Sequence, residues 1–280
     1  MTEHQRPQGQ PLRAILTGAS GGIGSAIAAR LAGQGVALLL VGRQARPLAA
    51  MASELGHHGV EVQWLDADIT TSAGRVRLLA VATSWRPNLL IHNAGTSQFG
   101  WLVDQDEATI ERQLQLNLVA PALLDRALLP LLLAQPQAQI IHVGSVFGSL
   151  GFAGFAPYCA SKGGLRLLAE ALRRELADSG VMVSYLGPRA TATSLNSPQV
   201  VAMNRSLGNA MDAPALVADA LWQMVVQRTP EQLLGQPESF FARLNQLWPR
   251  LVDRALRGKL ATIRRFAQGL GDLSTTRSPT

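Results

Sequence analysis

Tyr158 and Lys162 stand four residues apart in Tyr158-Cys159-Ala160-Ser161-Lys162, in a chain of 280 residues that holds only two tyrosines and two lysines. Residues i and i+4 share a helix face, so a helical segment here makes the ammonium and the phenol neighbours. A cation beside a phenol favours the phenolate, and the spacing predicts a Tyr158 pKa drawn below the ordinary value of about 10 toward a range useful for proton exchange. A plain surface Tyr-Lys pair has the same spacing. The rest of the chain decides between the two.

At the other end, Arg13-Ala14-Ile15-Leu16-Thr17 is a short apolar run. It leads into Gly18-Ala19-Ser20-Gly21-Gly22-Ile23-Gly24, and then into Ala26, Ile27, Ala28, Leu31 and Ala32 at helical spacing. The segment reads as strand, glycine turn and helix. Glycines let the backbone approach a pyrophosphate closely, and the unsatisfied N–H groups of the helix N-terminus receive its charge. A merely tight turn is the alternative reading.

These groups need a scaffold, and the hydrophobic pattern supplies one. Runs with strand character recur at 14–16, 36–41, 60–65, 89–92, 139–143 and 181–186, separated by helical stretches near 22–33, 45–56, 71–83, 104–133 and 157–178. Such alternation predicts right-handed crossovers and a parallel sheet covered on both faces. The segment 189–212 is rich in Ser, Asn, Thr and Pro and reads as a long loop near the ligand. A helix near 214–227 and a short strand near 232–234 close the pattern.

Apolar residues make up 47% of the chain and charged residues 16%, which suits one large α/β domain. Residues 1–11 read as a flexible tail without the apolar core of a secretory signal. The stretch 118–134 is interrupted by Pro121, Asp125, Arg126 and Pro130, which argues against a membrane span. A single cysteine, Cys159, excludes an intrachain disulfide and fits a reducing cytoplasm. It reads as a packed apolar residue or as a redox-sensitive thiol. His4, His57, His58, His92 and His142 lack zinc-ligand spacing, so no metal site is expected. The net charge of +6 lies wholly in residues 240–280, leaving the main body neutral and giving no basic face for nucleic acid.

Taken in order, these motifs resemble the short-chain dehydrogenase/reductase family over roughly residues 12–236. The match rests on Thr17-Gly18 to Gly24, on His92-Asn93-Ala94-Gly95, on Asn117 in the fourth helix, on Ser145 after the fifth strand, and on Tyr158 with Lys162. The resemblance implies a doubly wound parallel α/β sheet, a Rossmann fold in three layers, as a single domain with a C-terminal helical extension. It also implies roles. Tyr158 would be the general acid in reduction, and Lys162 would depress its pKa and hold the nicotinamide ribose. Ser145 would donate to the substrate carbonyl, and Asn117 would hold a water linking Lys162 to solvent. Asn117 as a helix-kink satisfier and Ser145 as an ordinary strand-end serine are the bland readings.

The expected cofactor contacts are Gly18, Ser20, Gly22, Ile23, Gly24, Arg43, Asp68, Ile69, Asn93, Ala94, Gly95, Tyr158, Lys162, Pro188, Thr191 and Thr193. NAD selection wants a carboxylate at the end of the second strand, whereas this chain has Val41-Gly42-Arg43. A guanidinium there, with Ser20 and Arg46 nearby in sequence, suits the 2′-phosphate of NADP(H). Asp68 would contact the adenine or cap the helix beginning near Thr71. Arg189 replaces a glycine usual in the family, which puts the loop carrying Pro188, Thr191 and Thr193 in question.

The expected activity is interconversion of a ketone and a secondary alcohol with a small-molecule substrate, in the cytoplasm. A catalytically idle dinucleotide-binding regulator or a peripheral membrane protein is the alternative. The helices near 104–133 and 157–178 predict a homodimer or homotetramer. In the extension, 237–270, Phe240, Leu244, Leu247, Trp248, Leu251 and Ala255 recur opposite Arg243, Arg250, Arg254 and Arg257. That stripe would cover the substrate cleft, lie on the inner membrane face or meet a protein partner, and the first two favour a lipophilic ketone, long-chain acyl or bulky alicyclic. Residues 271–280 read as a second tail.

Overall fold

The computed structural model describes residues 10–271; residues 1–9 and 272–280 of the expected tails lie outside the described residues. Seven strands, β1 (Arg13–Thr17), β2 (Ala37–Gly42), β3 (Val62–Asp66), β4 (Leu89–His92), β5 (Ala138–Val143), β6 (Val181–Gly187) and β7 (Glu231–Leu233), form one sheet in the order β3-β2-β1-β4-β5-β6-β7. Every neighbouring pair is parallel. The central strands read as continuous apolar runs because both faces are covered: Leu38, Leu39, Leu40 and Val41 of β2 are all fully buried.

The helices are α1 (Gly22–Ala32), α2 (Ala45–Gly56), α3 (Ser72–Trp85), α4 (Glu107–Leu133), α5 (Ala156–Glu175), α6 (Pro198–Ser206), α7 (Pro214–Gln227), α8 (Glu238–Leu247), α9 (Pro249–Arg257) and α10 (Leu260–Ala267). On one face Ile27 and Leu31 of α1, Leu48 of α2 and Leu221 and Trp222 of α7 pack on the sheet. On the other, Leu78 of α3, Leu124 and Leu128 of α4 and Ala169 of α5 do so. The result is the expected three-layer, doubly wound Rossmann fold, whose strand order reverses between β1 and β4, where ligands enter such sheets.

Helix α4 is long and apolar enough to cross a membrane by length and composition, which the interrupted reading of 118–134 did not anticipate. Its Ala120, Leu124, Leu128 and Leu132 are fully buried. Residues 115–119 within it form a π turn.

The sequence differs from the structure in two places. The segment 189–212 is not all loop. It contains α6, opened by Ser197, whose hydroxyl accepts the Val200 N–H, and by Pro198 in the first turn. The C-terminal stripe is also out of phase. Phe240, Leu247, Trp248 and Leu251 are exposed, while Ala242, Val252, Ile263 and Phe266 are the buried apolar residues of the extension. The helix breaks at Trp248 (φ −136°, ψ 68°), so the periodicity of α8 does not carry into α9.

Candidate active site

The glycine turn lies where β1 delivers it, at the mouth of the switch point. Gly18 has φ +64°, and a Cβ there would come within 2.7 Å of Ala94 Cα, so the turn and the Asn93-Ala94-Gly95 segment after β4 touch backbone to backbone. Thr17 locks them: its hydroxyl accepts the N–H groups of Asn93 (3.0 Å) and Ala94 (3.2 Å), while the Asn93 amide donates to the carbonyls of Thr17 (3.2 Å) and Gly18 (3.0 Å). Helix α1 has no side-chain cap, which leaves its first N–H groups without a side-chain partner.

A cleft of about 450 Å³ opens above these strand ends. Every residue expected at the cofactor lines it, from Gly18, Ser20, Gly22, Ile23 and Gly24 through Arg43, Asp68 and Ile69 to Pro188, Thr191 and Thr193. Ser145, Tyr158 and Lys162 line the same cleft, whereas Asn117 is buried behind it. An uncapped helix N-terminus, close backbone approach and a cationic Arg43 at one end fit a dinucleotide. Asp68 does not cap α3; Thr71 does, accepting the Gly74 N–H at 3.0 Å, while Asp68 Oδ1 takes the N–H and hydroxyl of Thr70.

Tyr158 and Lys162 lie in the first two turns of α5 and are both buried. The Lys162 ammonium donates to the Val143 carbonyl at the end of β5 (3.1 Å) and lies 5.9 Å from the Tyr158 ring centroid. Phe147 and Phe155 stand edge-on to the phenol, at centroid distances of 6.4 and 6.2 Å. Asn117 occupies the π turn of α4. Its amide donates to the Thr96 carbonyl (2.9 Å) and the Ser161 hydroxyl (3.0 Å), and its oxygen accepts the Thr96 N–H (2.9 Å). A Cβ on Gly95 would lie 3.3 Å from Asn117 Oδ1 and 3.5 Å from Lys162 Nζ, so a side chain there would occupy the space between them.

The electrostatics correct the expectation of a depressed phenol. Burial pushes Tyr158 up to about 12, although the Ser145 hydroxyl pulls the other way. Burial pushes Lys162 down to about 8. The aromatic surround desolvates the pair, and the ammonium is tied to the strand end rather than to the phenol.

Sequence reasoning missed several members. Ser161 bridges Asn117 and the Tyr158 carbonyl, its hydroxyl donating to the latter at 2.8 Å. Arg189 is an anchor: it pairs with the buried Asp212 (2.7 Å), with Glu238 (3.2 Å) and with the Gln236 carbonyl (2.8 Å). It thus ties the start and end of the 189–212 segment to the C-terminal extension. Helix α10 packs behind the cleft's apolar wall, with Ile263 and Phe266 in one cluster with Phe152, Phe155, Tyr158, Val200 and Met203.

Behind the site the fold gathers His92, Asp125 and His142, which no ligand spacing in the sequence had linked. His92 Nε2 meets Asp125 Oδ1 at 2.7 Å and His142 Nε2 meets Oδ2 at 2.9 Å, with the rings stacked at 4.9 Å and 17°. Near-parallel rings aim these nitrogens side by side at two different oxygens, the arrangement of a hydrogen-bonded triad. Ring nitrogens that converged on one ion would have to be tilted toward each other.

Sheet order, glycine turn and cleft define a dinucleotide-binding α/β protein. Residues 13–203 match the family model for short chain dehydrogenase, and the chain belongs to that oxidoreductase family. It is 34% identical over 185 residues to the uncharacterized oxidoreductase YmfI of Bacillus subtilis, covering 65% of this chain and 76% of that one. A short-chain dehydrogenase from Sphingobium yanoikuyae in complex with NADPH superposes with a TM-score of 0.73 at 30% identity, over 89% of this chain and 95% of the other. The bulky-bulky ketone specific alcohol dehydrogenase from Comamonas testosteroni gives 0.72 at 27% identity, over 89% and 94%.

Proposed function

We propose that this chain is an NADPH-dependent reductase of a lipophilic ketone, able to run in reverse on the secondary alcohol. The observation that carries the reading is one cleft that holds the Tyr158 phenol, the Ser145 hydroxyl and the glycine turn, where burial favours the protonated phenol. When bound, the dinucleotide supplies the hydride. Tyr158 gives its proton to the carbonyl oxygen, Ser145 donates a hydrogen bond where negative charge develops, and the Lys162 ammonium steadies the phenolate left behind. Asn117 and Gly95 preserve the space through which Lys162 meets water.

The cofactor preference rests on Arg43, which lines the cleft where a ribose-binding carboxylate would stand, with Ser20 near Gly42 beside it. The substrate class rests on Phe147, Phe155, Val200 and Met203, which line the cleft, and on α10, which packs behind them. The preference of the Comamonas enzyme for bulky ketones agrees with it. On this reading residues 12–236 form the catalytic domain and 237–270 a cover. Leu133 and Leu167 are exposed on α4 and α5, which supports a homodimer through those helices.

A second reading is favoured by the surface of the extension, where Phe240, Leu247, Trp248 and Leu251 are exposed among Arg243, Arg250 and Arg254, suiting an anionic bilayer. The test is NADPH absorbance against ketones graded by chain length and ring bulk, with liposome co-sedimentation alongside. Turnover rising with apolar bulk is expected. No consumption with any ketone, together with vesicle binding, would replace the first reading by the second.

A further inference from the structure

Tyr185, the only tyrosine besides Tyr158, lies on β6 beside His142 of β5 and is almost wholly buried. Its hydroxyl donates to the Ser145 carbonyl at 2.7 Å and accepts the Ser145 N–H at 2.9 Å. One phenol therefore holds both main-chain polar groups of the residue that carries the serine hydroxyl. The flanking residues continue the sheet, Gly144 N–H donating to the Leu186 carbonyl (2.7 Å) and Val146 N–H to that of Pro188 (3.0 Å). Ser145 itself is tied to the side chain, its carbonyl also accepting the Gly148 N–H (2.9 Å).

The ring reaches that position through a slot made of glycine. A Cβ on Gly144 would come within 2.1 Å of Tyr185 Cζ, and one on Gly148 within 2.3 Å of its hydroxyl oxygen. Both are closer than real contacts allow, so the large residue on β6 and the two absent side chains form one unit. The consequence falls on Ser145 Oγ. With its backbone fixed at φ −163° and ψ 158°, Oγ accepts the Phe147 N–H at 3.1 Å and keeps its own hydrogen to donate, on a residue that lines the cleft.

We propose that Tyr185 is a positioning residue, whose hydroxyl holds the Ser145 backbone so that the serine hydroxyl meets the substrate carbonyl oxygen. This rests on the ketone-reductase reading. Pre-set donors stabilise developing charge without reorganising during reaction, so the expected loss is in kcat.

The test compares wild type, Tyr185→Phe, Ser145→Ala and the double variant. Phe keeps the ring in the slot and removes the hydroxyl alone. Ketone turnover in Tyr185→Phe should fall by about tenfold, with KM and NADPH affinity within twofold, the scale of one lost buried hydrogen bond. In the Ser145→Ala background the same change should cost nothing further, because the donor being positioned is gone. Hydrogen exchange of the peptide spanning 144–149 in the resting protein should quicken in Tyr185→Phe. An equal loss in both backgrounds would show a general structural role and overturn the proposal, as would unchanged exchange and rate. Were wild type to reduce no ketone, the reductase reading would fail by itself, and the exchange comparison would still show whether the phenol holds Ser145.

Discussion

Lys162 Nζ lies 3.1 Å from the Val143 carbonyl, anchored to the last residue of β5, two positions before Ser145. The ammonium is therefore fixed to the strand that delivers the serine, and the helix that carries Tyr158 is fastened to that strand at the point where the two groups must meet. The tether opposes the shift that burial imposes: desolvation raises the phenol and lowers the lysine to about 8, while a carbonyl acceptor favours the ammonium. The charged amine spends its best hydrogen bond on a neutral carbonyl.

Tyr158→Phe should lower ketone reduction by at least about 100-fold while NADPH binds within a few-fold of wild type, because it removes the proton donor and little of the cofactor's cradle. Stopped-flow absorbance and fluorescence titration give the two numbers. A variant keeping a tenth of the rate would rule out Tyr158 as the acid.

Reduction should weaken above about pH 8, where Lys162 passes from ammonium to amine. The sign follows from the role: the cation steadies the phenolate, and it is lost as pH rises. In kcat/KM profiles, Lys162→Arg, charged at every accessible pH, should move the alkaline limb upward. A limb that stays in place would assign it to another group.

Arg43→Asp should weaken NADP and improve NAD, exchanging a 2′-phosphate partner for a ribose-binding carboxylate. The readout is the ratio of kcat/KM for the two cofactors. No change in the ratio would shift discrimination to Ser20 or Arg46.

Acid should destabilise the fold through the triad before most surface carboxylates titrate. Burial pushes His92 below its ordinary 6.5 against the pull of Asp125. Burial alone would raise Asp125, but His92 and His142 hold it well below the carboxylate range. Both groups bind fewer protons folded than unfolded, so their stabilisation is complete above about pH 6.5 and declines as pH falls, first through His92 and then, below about pH 4, through Asp125. Tm measured from pH 8 to 5 should drop in wild type and drop less in His92→Asn. Parallel curves would remove His92 from the acid response.

Arg189→Gly restores the residue usual in the family and leaves buried Asp212 without its partner. A loss of roughly 3 kcal/mol in urea unfolding is expected, the scale for breaking a buried pair. Ketone KM should rise because the 189–212 segment loses its anchor. A loss under about 1 kcal/mol would show that Glu238 and Asp212 find other partners.

Much of this was open to sequence reading, for reasons particular to each part. Strands such as Leu38–Val41 are apolar on both faces and fixed the parallel sheet, and Tyr158 with Lys162 and the glycine turn are legible in their own spacing, whereas Ser145 was expected only from the family resemblance. What escaped depends on contacts between distant segments. His92, Asp125 and His142 come from two strands and a helix, and Arg189 looked like a defect because Asp212 and Glu238 lie 23 and 49 residues away. Tyr185 is invisible for the same reason, since its partners are main-chain atoms 40 residues earlier. The C-terminal stripe failed on local geometry: Pro249 signals a kink there, but the backbone turn at Trp248 resets the helical phase, which hydrophobic periodicity does not carry.

The glycine slot around Tyr185 also constrains the order in which such a sequence can change. A tyrosine cannot enter at 185 while position 144 or 148 bears a side chain, so both positions must be cleared first. Once the ring is seated, neither glycine can be replaced until the tyrosine leaves. Three positions separated by up to 41 residues are thus locked into an ordered sequence of substitutions. Relatives with a side chain at 144 or 148 should lack the tyrosine at 185, and an ancestor with the glycines but not the tyrosine is the expected intermediate.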